Sequence, residues 1–261
     1  MPKIVCSFCR YTLFWNIRRG RKKCKRCRKE FSSVQYPISG FRITEKEWRD
    51  AIGIFLRERT IRSIVRSTTI SHYHVEKMVQ YLRACMLRDV PSPFSGIVEM
   101  DETYIGGQRK NKRLHIRRIK GKRGHGTEKL AIVGIFGREA KQVYVQVIRK
   151  LSMPDIFLML DMHVVKGSPV YTDGFKPYRG LPKKGYPHEY VNHAGGEYVR
   201  GDIHTNNIEG FWGILKRKMS CIGGMRADRL EFFVAEIVWK FNHRCEPIQI
   251  QEKKLFELLF R

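Results

Sequence analysis

Apolar residues recur at two different periods along this chain, and the change of period divides it. Between Thr44 and Met86 the period is helical. Thr44 and Glu47 form a capping-box pair ahead of Trp48, Ile52, Ile54, Phe55 and Leu56. A second segment, 60–66, carries Ile61, Ile64 and Val65. After a polar turn at Ser67, Thr68 and Thr69, a third run places Val75, Met78, Val79, Leu82 and Met86 at spacings of three and four. Three short helices are predicted over 41–90, with a turn before the last as in a helix-turn-helix module. That motif has no diagnostic residue, so a plain helical linker bundle fits the pattern equally well. Pro91 and Pro93, with Ser92 and Ser95, close the segment.

From Gly96 the apolar runs shorten to strand length. Strands are predicted over 97–102, 130–136 and 143–148, then a helix over 154–165. A buried strand follows over 169–174, a short one over 189–192, and helices over 205–219 and 229–241. Two of these strands end on an acid. The order β-β-β-α-β-α-β-α predicts an α/β class with an RNase H-like core over 96–245, followed by a tail over 246–261.

Composition narrows the partner. The chain has 261 residues, 42% of them hydrophobic, enough for one medium domain with smaller appendages. Its 51 Lys and Arg exceed its 25 Asp and Glu, for a formal charge of +26. Such an excess repels itself unless an anionic partner absorbs it. Nucleic acid is the expected partner over an anionic membrane surface. No apolar stretch is long enough to span a bilayer, and no signal peptide is expected where Cys and Arg follow so soon.

Four of the seven cysteines stand at the front as Cys6-x2-Cys9 and Cys24-x2-Cys27. Each pair forms a knuckle that turns two thiolates toward one ion, and two knuckles complete a tetrahedral structural Zn2+ site over 1–35. So short a segment cannot build an adequate core, so the metal must supply much of its folding free energy. Arg18, Arg19, Arg21, Lys22, Lys23, Lys25, Arg26, Arg28 and Lys29 surround the knuckles, with Phe14, Trp15 and Phe31 between them and Glu30 the one acid. This composition predicts phosphate contact. In the helical module, His72, Tyr73, His74 and Lys77 open the third helix, where a DNA groove would be met. The odd cysteine count argues against a secreted disulfide framework and for a reducing compartment that holds DNA. The expected location is the nucleoid-associated cytoplasm in a bacterium or the nucleus in a eukaryote.

Asp101 and Asp173 close predicted strands, and Glu209 stands near the start of a predicted helix. Hard Mg2+ (or Mn2+) prefers oxygen ligands and leaves positions open for phosphate and water. Two such ions between carboxylates suit in-line displacement at a phosphodiester. Lys216 lies seven residues beyond Glu209, within about 20° of the same helical face, and Asn206 shares the stripe. Singly, Asp101 fits a strand-end turn, Asp173 an Asp-Gly turn and Glu209 a favourable dipole contact. Their order and spacing favour a metal site.

The segments VEMDETYIGG (98–107), YTDGFKPYRGL (171–181) and HTNNIEGFWGILKRKM (204–219) closely resemble bacterial insertion-sequence transposases of the zinc-ribbon group related to eukaryotic Merlin elements. The ending WKFNHR (239–244) resembles that family's terminal block. The resemblance covers nearly the whole chain. It implies a DDE catalytic domain with Asp101, Asp173 and Glu209 as metal ligands and Lys216 as the matching basic residue. Some relatives use Asn as third ligand, which keeps Asn206 beside Glu209. Relatives often carry Gly after the second knuckle, where this chain has Arg28. The family also implies a multimer on double-stranded DNA, with terminal inverted repeats bound, cut and joined to target DNA.

A basic insertion over 108–126 contains Arg109, Lys110, Arg113, Arg117 and Arg118 and no acid. It is expected to be disordered alone and to clamp DNA entering the site. Trp212 and Trp239 are expected in the core, Cys85, Cys221 and Cys245 as buried thiols, and His188, His193 and His204 near the site. Two rival functions are carried forward: a transposase-derived DNA-binding regulator without catalysis, and a structure-selective nuclease on the same fold.

Overall fold

The computed structural model describes residues 5–260 except 7, 19–20, 33–37, 39, 106–129, 149–151, 175–177, 179, 192–198 and 223–225. Arg19, His193 and the basic insertion with Arg109, Lys110, Arg113, Arg117 and Arg118 therefore lie outside the described residues. The chain parts into two compact units, Met1–Val79 with Ile248–Arg261, and Gln80–Pro247.

In the first unit, β1 (Phe14–Asn16), β2 (Arg21–Cys24) and β3 (Glu30–Ser32) form a small antiparallel sheet. Its apolar interior is little more than Cys6, Cys24 and Phe31, with Tyr11 and Phe14 packed beside them. Arg10 and Arg28, each directly after a knuckle, take left-handed backbone at φ 56° and 59°. Glycine adopts that conformation without strain, whereas an arginine there carries a backbone strain that the knuckle must hold in place.

Three helices follow: α1 (Glu45–Leu56), α2 (Ile61–Ser67) and α3 (His72–Arg88). Thr44 and Glu47 exchange both capping-box bonds, and Thr60 Oγ1 accepts from the Ser63 N–H. The segment read as a tail contains helix α7 (Ile248–Leu258), which packs on α1. Its polar Gln251-Glu252-Lys253-Lys254 stretch conceals the short apolar set Leu255, Phe256 and Leu258 that it buries. The two helices approach closely at Gly53, where a Cβ would lie 2.9 Å from Glu252 Oε1. Arg57 bridges that point to Gly53 O and Glu252.

The second unit is a three-layer α/β sandwich. Its sheet runs β6-β5-β4-β7-β8, built from β4 (Val98–Ile105), β5 (Leu130–Gly137), β6 (Gln142–Ile148), β7 (Val170–Asp173) and β8 (His188–Val191). The first three strands are antiparallel, and β7 and β8 join parallel to β4. This is the strand order and direction of an RNase H-like fold. Strand alternation sorts the two faces. Val98, Met100, Val133 and Ile135 face α4 (Met153–His163), while Ile132, Phe136 and Val143 face α5 (Asn206–Ser220) and α6 (Ala227–Asn242). Between β7 and β8, where a helix was expected, the described residues form only a 3-10 turn, Pro182–Lys184, stopped by Gly185 at φ 84°. Trp212 and Trp239 are buried and so is Cys85, whereas Cys221 and Cys245 are exposed, contrary to expectation. Both follow the end of a helix, in turns that leave them outside the packed faces.

Candidate active site and metal sites

Two clusters of metal-ligating side chains occur among the described residues. In the ribbon, Sγ of Cys6 lies 3.6 Å from that of Cys27, and Sγ of Cys9 lies 3.5 Å from that of Cys24. All four fall within 4.8 Å of one another. A tetrahedron with Zn–S bonds of about 2.3 Å has edges of about 3.8 Å, so the donor set fits Zn2+. Burial opposes ionisation of the Cys24 thiol, but the N–H groups of Cys27 and Arg26 outweigh it and bring it down to about 6.

The second cluster joins Asp101, Glu102 and Asp173, whose carboxylate oxygens also fall within 4.8 Å. Its origin is the parallel register. Glu99 pairs with Tyr171 and Met100 with Thr172, so the next positions, Asp101 and Asp173, stand side by side on adjacent strands. Asp101 shares its face with Glu99, toward α5. Glu102 points to the opposite face, where buried Tyr178 donates to its Oε2 at 2.6 Å. Burial, then Glu102 and Asp173, push the Asp101 carboxyl up from 3.8 to about 7. Burial and Asp173 likewise raise Glu102 to about 7, against the Tyr178 hydrogen bond. Asp101 and Glu102, which resist charging, crowd against Asp173, and such a group is suited to a hard cation, which removes the repulsion. The oxygen-only donor set fits Mg2+ or Mn2+.

Helix α5 is held over this cluster at two points. Trp212 Nε1 donates to Asp101 Oδ2 at 2.9 Å, and its ring lies on Gly134, where a Cβ would come within 2.7 Å. At the helix start, fully buried Glu99 takes the backbone N–H groups of Asn207 (2.9 Å) and Ile208 (3.0 Å) and the Asn207 Nδ2 (2.7 Å). Arg138 Nε completes its shell at 2.7 Å, and Arg138 also reaches Nδ1 and the carbonyl of His204. Glu99 thus caps the helix from a neighbouring strand.

Thr205, the residue at the cap position, instead gives its hydroxyl to Glu209 Oε1 at 2.8 Å. Glu209 is exposed, as are Asn206 and Lys216. Its carboxylate is not among the three clustered acids. It projects three residues before Trp212, on the same side of the helix, one turn from the residue that touches Asp101. Asn206 is a further turn away, and its N–H goes to His204 Nδ1 at 3.3 Å. His188 bonds Thr172 Oγ1 at 2.8 Å beside Asp173.

Sequence reasoning passed over Glu99, Glu102, Tyr178, Arg138 and Thr205. Glu102 is adjacent to Asp101 in the chain, but strand alternation turns the two to opposite faces, so adjacency alone does not point to a shared site. Thr205 stands only four residues before its partner Glu209, whereas for Glu99, Tyr178 and Arg138 no local pattern signals contacts made across 39 to 108 residues.

Of the residues expected on DNA, Arg18 is exposed, whereas Lys22 and Lys23 are half-buried on β2, with Lys22 Nζ on Asn16 Oδ1 at 2.6 Å. His72, Tyr73 and Lys77 are exposed on the first turns of α3, the Lys77 ammonium 4.7 Å over the Tyr73 ring. No helix among the described residues is long and apolar enough to cross a membrane.

Comparison with known proteins agrees with this geometry. A protein encoded in transposable element ISH50 of Halobacterium salinarum is 31% identical over 221 residues, covering 80% of this chain and 74% of that one. A transposase-like protein of Haemophilus influenzae is 26% identical over 102 residues, 39% of this chain and 82% of its own. Among solved structures, the HTLV-2 integrase catalytic core in complex with magnesium matches 57% of this chain and 87% of its own, at 11% identity and TM-score 0.32. A simian T-cell lymphotropic virus intasome bound to PP2A regulatory subunit B56 gamma matches 71% of this chain and 66% of its own, at 11% identity and TM-score 0.34. Both structural likenesses are too distant to bear on the site. Residues 93–242, which contain all three clustered acids and both anchors of α5, match the ISXO2-like transposase domain, and the chain belongs to that transposase family.

Proposed function

We propose that this transposase cuts DNA at the ends of its element and joins the freed 3′-hydroxyl groups to target DNA. The observation that carries the reading is the Asp101, Glu102 and Asp173 cluster beneath a helix that bears Glu209 and Lys216. Asp101 and Asp173, with Glu209 completing the set ahead of Asn206, would hold two Mg2+ or Mn2+ ions per site. Glu102 is a further ligand candidate. Bound there, the cations would supply Lewis-acid activation of an attacking oxygen and charge stabilisation at the leaving 3′ oxygen.

The chain's own residues do the positioning. Trp212 orients the Asp101 carboxylate, and Tyr178 that of Glu102. Glu99 and Arg138 fix the first turn of α5, and Thr205 aims Glu209. Lys216, two turns along the exposed face, pairs with a phosphate of the bound strand. The sequence of reactions is hydrolysis of one phosphodiester by water, leaving a 3′-hydroxyl and a 5′-phosphate, and then attack of that hydroxyl on a target phosphodiester, whose P–O3′ bond breaks as the new one forms and whose 3′ oxygen leaves as a hydroxyl. Cys6, Cys9, Cys24 and Cys27 would hold one structural Zn2+. The ribbon, through Arg18, Arg19, Lys22 and Lys23, and the first turns of α3, through His72, Tyr73 and Lys77, bind the terminal inverted repeats. The basic insertion with Arg109, Lys110, Arg113, Arg117 and Arg118 clamps DNA near the acids. A homodimer or higher multimer pairs two element ends, in the compartment where the host keeps its DNA.

The test is incubation of purified protein with a labelled element end, target DNA and Mg2+ or Mn2+. Strand-transfer products are expected, and their loss in Asp101→Ala, Asp173→Ala and Glu209→Ala. Full activity in Asp173→Ala would overturn the site, and cutting without joining would make the chain a nuclease.

A further inference from the structure

On the α5 and α6 side of the sheet, at the end of the β5–β6 hairpin, a cavity of about 240 Å³ is lined by Phe136, Arg138, Lys141, His204, Asn207 and Arg244. Three of the six are cations and none is an acid. We infer that this cavity is a second phosphate-binding site that takes a backbone phosphodiester of bound DNA, apart from the acidic cluster. The inference rests on the reading of DNA as substrate.

The charge is arranged for a guest. Arg138 forms the floor, but its charge is already answered by buried Glu99, and its donors go to Glu99, Asp202 O and His204. Lys141 and Arg244, both exposed at the rim, form no ion pair among the described residues. Arg244 spends one nitrogen on Lys141 O (2.9 Å) and Phe241 O (2.7 Å) and lies 3.9 Å over the Phe241 ring. A guanidinium has five N–H donors, so three, on Nε and NH2 of a group already held in place, have no acceptor among the described residues. Lys141 sits at a left-handed hairpin position, φ 52°, which turns the chain at the rim. The wall behind them is rigid. Asn242 at the end of α6 exchanges two hydrogen bonds with the backbone of Val143, at 2.8 and 2.9 Å. Fixed, planar donors beside a point charge suit a tetrahedral phosphate oxyanion, and a preorganised site loses less entropy on binding.

The experiment is DNA binding by the full zinc-loaded chain, followed by fluorescence anisotropy with a labelled duplex across a salt series and without added Mg2+ or Mn2+. Loss of one phosphate contact lowers the slope of log K against log salt by about 0.9 and weakens binding about eightfold at 0.1 M salt. That change is expected in Lys141→Ala/Arg244→Ala. A charge-matched Lys253→Ala/Lys254→Ala control should move less. Lys141→Glu alone, an exposed change that leaves the Arg244 bonds in place, should give at least the same loss. Arg244→Lys should retain part of the slope. A slope equal to that of the control, in the double variant and in Lys141→Glu, would overturn the proposal. So would saturable binding of inorganic phosphate, lost in the double variant, with an unchanged DNA slope, because the site would then serve free phosphate. Because the assay omits Mg2+ and Mn2+, its outcome is independent of the strand-transfer test that decides the catalytic reading.

Discussion

Replacing Asp101 by Asn is expected to stabilise the protein at neutral pH in the absence of Mg2+ or Mn2+, and to abolish its response to them. The carboxyl is held at about 7 instead of 3.8, by burial first and then by Glu102 and Asp173. The folded state therefore binds this proton more tightly than the unfolded chain. The stability this contributes is fully present below the unfolded value and is lost as pH rises through about 7. About three units at about 1.4 kcal/mol each set a ceiling near 4 kcal/mol. Asp101 is partly open to solvent and titrates together with its neighbours, so roughly half of that, about 2 kcal/mol, is the expected gain. Asn keeps the oxygen that accepts from Trp212 Nε1, so the packing of α5 survives. At about 2–4 °C per kcal/mol for a unit of this size, Asp101→Asn should melt about 4–8 °C above the parent at pH 8. By pH 5 the gap should fall to under about half. Scanning calorimetry with one equivalent of Zn2+, with and without added Mn2+, reads both effects. Mn2+ should raise the melting temperature of the parent and leave that of Asp101→Asn unchanged. A lower melting temperature for the variant at pH 8, or a gap equal at pH 5 and 8, would refute the electrostatic account.

Three further outcomes follow from the same geometry. Glu99→Ala leaves the Arg138 guanidinium and two helix N–H groups without their acceptor; a loss of about 3–5 kcal/mol is expected in urea unfolding, with Glu99→Gln intermediate. Gly134→Ala drives a methyl into the Trp212 ring. It should cost about 1–3 kcal/mol and cut strand transfer more than DNA binding, which gel shift and product assays separate. Removing zinc by chelation should unfold the ribbon, because its core is little more than the ligands and Phe31. Since thiolates bind the metal and binding releases their protons, zinc affinity should fall as pH is lowered, as amide spectra of the front residues would report.

What could be read from the chain alone is what short segments encode. The two knuckles close over two residues each, so their spacing announces a metal site before any fold is known. The strands that carry Asp101 and Asp173 and the exposed stripe of Asn206, Glu209 and Lys216 follow from periods of two and 3.6, although β4 runs on to Ile105 and leaves Asp101 inside it rather than at its end. Where local signals were weak, the reading missed. Helix α7 hides its small apolar set behind a polar run, and a single 3-10 turn stands where the order of elements implied a helix.

By itself, then, the sequence determined the metal-binding spacing, the basic character, the acid-bearing strands and the family. Only the tertiary structure decided which acids meet. Asp101 and Asp173 stand together because β4 and β7 pair in parallel in one register. Glu102 joins them from the opposite face, and Glu99, two residues before Asp101, becomes the cap of a helix more than 100 residues away. The physical reason is range. Capping, turns and periodicity act over a few residues, whereas register and the desolvation of a carboxylate depend on what distant segments bring alongside it.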